Sequence, residues 1–261
     1  MRWAVGVTSC PARLNNLLPR TLASLCDGGF DVDLLAVDGA EHADPYRKFG
    51  IPVVSTRFPA VNVHPHWELT ARELFYRKRD ADWFLISQDD MVVCRNLREY
   101  LERNPPPGEM SWGNLSSPKH EVVAAKGRTG WVASQWTNGH GPQTQRGYSA
   151  FGLVFSHAAM CALLSSDHWI ERTIDKRNSR KFPKYVDGAI VTALNKAGWV
   201  EHCHHPALAT HIGVVSSIRN KSWPAPEFFA PTFVGEDYDA LALLKEEGVT
   251  SNANHASVAN P

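Results

Sequence analysis

The sequence predicts an α/β domain whose mostly parallel central sheet is flanked by helices, and three observations predict it. The opening reads strand, helix, strand: an apolar run at residues 3–7, helical spacing of apolar residues over 14–25 that stops at Gly28-Gly29, and a second apolar run at 32–37. A third strand-length apolar run, 83–87, again exits into polar residues at its carboxyl end. The 261 residues, 43% of them hydrophobic, suffice to bury one substantial core. A strand-helix-strand opening needs a crossover connection, which makes neighbouring strands parallel and places helices on the sheet faces.

The remaining elements follow in chain order. Residues 51–55 read as a third strand, and 67–79 as a helix whose polar face carries Arg72, Arg77, Lys78 and Arg79. The run 83–87 leads into Gln88-Asp89-Asp90, and 97–103 is a short helix cut off by Pro105-Pro106-Pro107-Gly108. From 111 to 146 the chain is rich in Gly, Ser, Gln and Trp, with a turn signal at Asn138-Gly139, so short strands and loops are expected. Residues 148–155 form another strand, after which Ser156 caps a helix to about Leu164. A basic segment, 176–184, precedes a helix over 188–197 that closes at Gly198. A late strand begins at 199–202, the run 207–215 carries His211, and 237–247 reads as a helix. Residues 250–261 are polar and aperiodic, which predicts disorder.

Composition excludes several classes of function. With 27 basic and 27 acidic residues the formal charge is zero, so any polyanion contact must be local. No apolar run approaches the roughly 18–20 residues of a bilayer span, and the first residues are too short a run for a signal peptide; a soluble, cytoplasmic protein is expected. Five widely spaced cysteines without a CxxC pair predict reduced thiols. The glycines match neither a dinucleotide fingerprint nor a P-loop, and no GxSxG occurs. His202-Cys203-His204-His205 lacks the ligand spacing of a structural zinc site.

Three separated pieces carry candidate chemistry: Asp89 and Asp90 at a strand end, Asp187 at a helix start, and His211 beside Gly213. Acids leaving a strongly apolar strand are costly unless something positive neutralises them. Carboxylate oxygens and one imidazole suit Mn²⁺ or Mg²⁺ that also holds a phosphate. The bland readings stand beside these: a solvated turn for the acid pair, a helix cap for Asp187, and a hydrogen-bonded core histidine for His211.

In these residues the chain resembles the GT-A glycosyltransferases, family-2-like enzymes that use nucleotide-sugar donors. The resemblance rests on Thr8-Ser9-Cys10-Pro11-Ala12-Arg13 after the first strand, Val37-Asp38-Gly39 after the second, Gln88-Asp89-Asp90, Tyr185-Val186-Asp187-Gly188, and His211 through Ser217. It covers residues 3–218. Gln88 departs from the family's DxD-type motif, which has an acid there.

The resemblance implies a single Rossmann-like GT-A domain over 1–218, with a nucleotide-sugar half to about residue 95 and an acceptor half over 96–218. A C-terminal lid and helix (219–249) and a tail (250–261) would follow. It implies Asp90 and His211 as ligands of a divalent metal, and Thr8, Arg13, Asp38 and Asp89 as donor-binding residues. Asp187 is similar to the catalytic base of the inverting members. Trp131, Trp136, Lys181, Lys184, Ser216 and Ser217 are candidates for the acceptor or phosphate side.

The implied reaction moves a sugar, most often from a UDP-sugar, to an acceptor hydroxyl. Acceptors compatible with the sequence are a glycan or lipid-linked saccharide and a hydroxymethylated base in phage-type DNA. A non-catalytic nucleotide-sugar-binding module of the same fold is the alternative from another class. Neither the particular sugar nor the oligomeric state is encoded in these motifs.

Overall fold

The computed structural model describes residues 1–118, 121, 125–134, 152–167, 169, 186–213 and 230–245. Its strands are β1 (Trp3–Ser9), β2 (Leu34–Asp38), β3 (Val53–Arg57), β4 (Trp83–Gln88), β5 (Met91–Val93), β6 (Ser111–Asn114), β7 (Gly130–Ala133), β8 (Gly152–Ser156), β9 (Val200–His205) and β10 (Ala209–His211). Its helices are α1 (Leu17–Asp27), α2 (Val63–Arg77), α3 (Leu97–Arg103), α4 (His157–Leu164) and α5 (Val186–Lys196).

Period-two alternation along the strands divides the core into two layers. Ala4, Leu34, Phe84 and Ile86 face the layer built with α2, α4 and α5, while Val5, Val7, Leu35, Val37 and Leu85 face the layer built with α1 and α3. Both faces of the central strands are thus covered, which is why 83–87 reads as a continuous apolar run. In the first layer Trp112 stacks on Phe155 with ring centroids 5.6 Å apart, and Trp67 meets Phe155 edge-on. Gly6 leaves room for α2: a Cβ there would lie 3.1 Å from Leu74 Cδ2.

The main sheet has eight strands among the described residues, in the order β3-β2-β1-β4-β8-β6-β9-β7. The first four are mutually parallel. β8 runs against β4 and β6, β9 is parallel to β6, and β7 closes the edge antiparallel to β9. The carboxyl ends of β1, β2, β4 and β6 therefore lie along one edge, the place where parallel sheets gather ligands.

Local rules set most boundaries. The Gly28-Gly29 stop of α1 is realised by Gly28 as C-cap and Gly29 in the left-handed region at φ 87°. Ser156 caps α4 by accepting a hydrogen bond from the Ala159 amide at 3.1 Å. The expected helix over 237–247 starts late, at residue 241. Asp239 instead bridges to Arg95, and its carboxylate accepts the Leu241 amide at 3.0 Å, so this acid heads the helix from outside.

A small second sheet pairs β5 with β10, placing His211 opposite Met91, immediately after Asp90. Ser24 of α1 holds this sheet. Its hydroxyl donates to the Val93 carbonyl at 3.2 Å and accepts from the Val93 amide at 2.8 Å, all in buried surroundings. Ser24→Ala strands both backbone groups away from water and should cost about 1–3 kcal/mol, read as a lower denaturation midpoint with an unchanged m-value.

Candidate functional site

Asp89 and Asp90 follow the last residue of β4, and both are buried, with 7% and 6% of their surface exposed. That rules out the reading of a solvated turn. Each acid is held by the loop after β1. Asp89 Oδ2 accepts a hydrogen bond from Ser9 Oγ at 2.7 Å and from the Cys10 amide at 3.3 Å. The chain then makes a single 3-10 turn over Pro11–Arg13, closed by the Arg13 amide donating to the Cys10 carbonyl. This turn delivers the Arg13 guanidinium to within 3.5 Å of Asp90 Oδ2, with both side chains 9% exposed.

His211, brought by β10, completes the group: its Nε2 lies 2.9 Å from the same Asp90 Oδ2. The Gly213 amide donates to His211 Nδ1 at 3.2 Å, which places the ring proton on Nε2, where it faces the carboxylate. Gly213 has to be glycine for this approach. A Cβ there would sit 2.6 Å from Asp90 Oδ2 and 2.7 Å from His211 Cε1. Asp90 Oδ1 is buried and makes no hydrogen bond among the described residues.

Burial, and then the negative charge of Asp90, push the Asp89 carboxyl up to about 7, against the pull of the Ser9 hydroxyl and Arg13. Two acids side by side in a low-dielectric setting cannot both ionise freely.

The residues present fit a divalent cation as an open site. Among the described residues no three or more His, Cys, Asp or Glu side chains form a metal cage. Asp90 and His211 nevertheless offer one oxygen and one nitrogen 2.9 Å apart, and the other Asp90 oxygen is buried with no hydrogen bond among the described residues. Such a pair leaves positions for phosphate oxygens and water, the usual habit of small hard cations. Loading would require the imidazole proton to move from Nε2 to Nδ1, with loss of the Gly213 amide contact.

The other candidate donor residues are committed to the fold. Thr8 Oγ1 donates to the Ser87 carbonyl at 3.2 Å. Asp38 accepts the amides of Val61 and Asn62 at 2.8 and 3.0 Å, so it fastens the loop before α2. Beside it Arg57 donates to His66 Nδ1 at 3.1 Å and pairs with Glu73 at 3.5 Å. Burial, then the Arg57 charge, lower the His66 imidazole to about 4 and keep it a neutral acceptor.

Trp131 lies on β7 and packs: its indole N–H donates to the Asn104 carbonyl at 2.8 Å and its ring stands edge-on to His204. Trp136, Lys181, Lys184, Ser216 and Ser217, the basic segment 176–184 and the tail 250–261 lie outside the described residues, as do residues 219–229 and 246–249 of the expected lid and helix. His204 spends one ring nitrogen on Tyr100 and the other on the Pro206 carbonyl, at 2.6 and 2.7 Å. The histidine run is thus a piece of core. The five cysteines are all free thiols.

Asp187 occupies the first turn of α5 and is half-buried. Sequence reasoning missed what lies near it. Glu201 on β9 is buried, and its Oε1 accepts from Asn114 Nδ2 at 3.1 Å. Ser134 Oγ donates to the equally buried Glu121 at 2.9 Å. Burial raises Glu201 to about 8, and the charges of Glu121 and Asp187 push the same way, which puts Asp187 within electrostatic reach of this cluster. The one sequence signal was a lone acid inside the strand run Trp199-Val200-Glu201-His202-Cys203.

No protein-family model matches the chain, and no curated protein matches it by sequence. Among solved structures it is similar to S. aureus TarS residues 1–349 in complex with UDP-GlcNAc, at 11% identity over 87% of this chain and 63% of that one, with a TM-score of 0.48. A longer S. aureus TarS structure matches at 11% identity over 80% of this chain and 36% of that one, with a TM-score of 0.47. A Bacillus anthracis protein described as a glucose-1-phosphate thymidylyltransferase, in complex with a sucrose, matches at 9% identity over 86% and 98%, with a TM-score of 0.42. The chain spans less than two thirds of either TarS structure. Among the described residues no helix is long and apolar enough to cross a membrane.

Glu201 gives the site a pH signature. In the fold it keeps its proton to about 8, whereas an unperturbed Glu releases it near 4.5. Its contribution to stability is therefore full below pH 4.5 and lost as pH rises through about 8. Glu201→Gln, which mimics the protonated acid, should match the wild type in denaturation at pH 4 and exceed it by a margin that grows from pH 5 to pH 8 and persists at pH 9. Equal stabilities at pH 9 would place the Glu201 proton elsewhere.

Proposed function

We propose that this chain is a metal-dependent, inverting glycosyltransferase that moves a sugar from a nucleotide-sugar donor, a UDP-sugar foremost, to an acceptor hydroxyl. The observation that carries the reading is the meeting of Arg13, Asp90 and His211 on one carboxylate oxygen at the carboxyl edge of the sheet, from three segments far apart in the chain. A buried anion flanked by a guanidinium and an imidazole suits a diphosphate carried with Mn²⁺ or Mg²⁺. Asp90 and His211 would hold the metal, which when bound supplies positive charge for the departing diphosphate.

The chain's own residues do the rest. Arg13 offers hydrogen-bond donors to a phosphate oxygen, Asp89 fixes the Ser9–Cys10 backbone that carries Arg13, and Asp38 fixes the Val61–Asn62 loop beside the donor edge. Asp187 takes the proton from the acceptor hydroxyl as its oxygen attacks the anomeric carbon and the bond from that carbon to the diphosphate breaks.

The neutral overall charge favours a glycan acceptor over duplex DNA. A salt series separates them, because affinity for DNA falls steeply with ionic strength.

Thermal denaturation with UDP, GDP, CDP and their sugars, with and without Mn²⁺, tests the donor reading: one nucleotide series should raise the midpoint, and more so with Mn²⁺. No shift with any of them overturns it. Asp187→Asn should keep that shift while transfer falls about 10²–10⁴-fold; transfer at the wild-type rate removes Asp187 from the role of base. Release of nucleoside diphosphate by the wild type separates an enzyme from a binding module.

A further inference from the structure

Asp90 Oδ2 is shared by two partners among the described residues, and one of them is a full cation. Arg13 NH2 lies 3.5 Å from this oxygen and His211 Nε2 2.9 Å, while Oδ1 of the same carboxylate is buried without a hydrogen bond among the described residues. Arg13 is held there by its 3-10 turn, whose preceding residues are anchored on Asp89. At 7% exposure the guanidinium cannot simply turn to water.

A divalent cation entering between Asp90 and His211 would meet the Arg13 charge on the same oxygen, in a setting with little water to screen the repulsion. A diphosphate removes the conflict, because it brings enough negative charge to satisfy both the metal and the guanidinium, and its oxygens match a guanidinium's paired N–H groups.

We infer that Arg13 is a coupling residue: it serves Asp90 as counter-ion when no metal is bound, opposes binding of the metal alone, and passes to the diphosphate when nucleotide and metal bind together. The inference rests on the metal reading of Asp90 and His211 given above. Its thermodynamic form is reciprocal: nucleotide raises metal affinity, and metal raises nucleotide affinity by the same factor.

The test is a calorimetric titration of the full chain with Mn²⁺, alone and with saturating UDP, for the wild type, Arg13→Gln, Arg13→Lys and Asp90→Asn. In the wild type, UDP should tighten Mn²⁺ binding by about 10–100-fold. Arg13→Gln should bind Mn²⁺ alone about tenfold more tightly than the wild type, with most of the UDP effect gone. Arg13→Lys keeps the charge and should keep the coupling in part.

Unchanged or weaker binding of Mn²⁺ alone by Arg13→Gln overturns the inference while leaving the metal reading intact. Wild-type binding by Asp90→Asn instead overturns the metal reading itself. Arg13→Gln leaves the buried Asp90 without its cation and lowers stability. Thermal denaturation then supplies the second measurement: Mn²⁺ alone should raise the midpoint of Arg13→Gln more than that of the wild type, and an equal or smaller rise counts against the coupling.

Discussion

A carboxylate taken out of water is tolerated only where cations or donors meet it, and Asp90 makes that demand just past the end of a central strand with a buried apolar interior. The demand is met from three directions. The β1 loop supplies Arg13, β10 supplies His211, and the absence of a side chain at Gly213 lets the imidazole and the carboxylate meet. Removing one partner strands a buried charge, so the turn over Pro11–Arg13, the β5–β10 sheet and the Ser24 contacts beneath it are all constrained by one oxygen atom.

The second acid divides the labour. Asp89 points to the backbone and hydroxyl of the β1 loop, whereas Asp90 points to the Arg13 guanidinium and the His211 imidazole. One dipeptide thus fixes both the shape of a loop and the charge of the space before it. A separate polar cluster, Asn114, Glu121, Ser134 and Glu201, is buried near Asp187. Its protonated acid lets carboxyl groups share the interior without an accompanying base.

Much of the fold was legible because its signals are local. The apolar runs at 3–7, 32–37 and 83–87 each lie within a strand or overlap it closely, and Gly28-Gly29 and Ser156 act where their chemistry says they should. The strand at 51–55 was placed two residues early, since β3 spans Val53–Arg57 and is half-buried throughout. The three-residue strands β5 and β10 were beyond reach, because such short segments carry no period and their pairing spans more than a hundred residues. The candidate site shows the same division. Strand-end acids declare themselves by their cost, but nothing in the sequence shows that Arg13 and His211 share an oxygen of Asp90, or that the Asp38 carboxylate is spent on two amides.

The donor and acceptor halves expected from the motifs divide near residue 95, yet β8 is hydrogen-bonded to β4 on one side and to β6 on the other. The two halves are one continuous sheet, with no seam for a hinge. Rotation of one half against the other would tear a ladder from Trp83–Ser156 to Ser87–Gly152. Among the described residues the sheet itself is therefore a fixed frame, and the carboxyl ends of its strands keep one spacing.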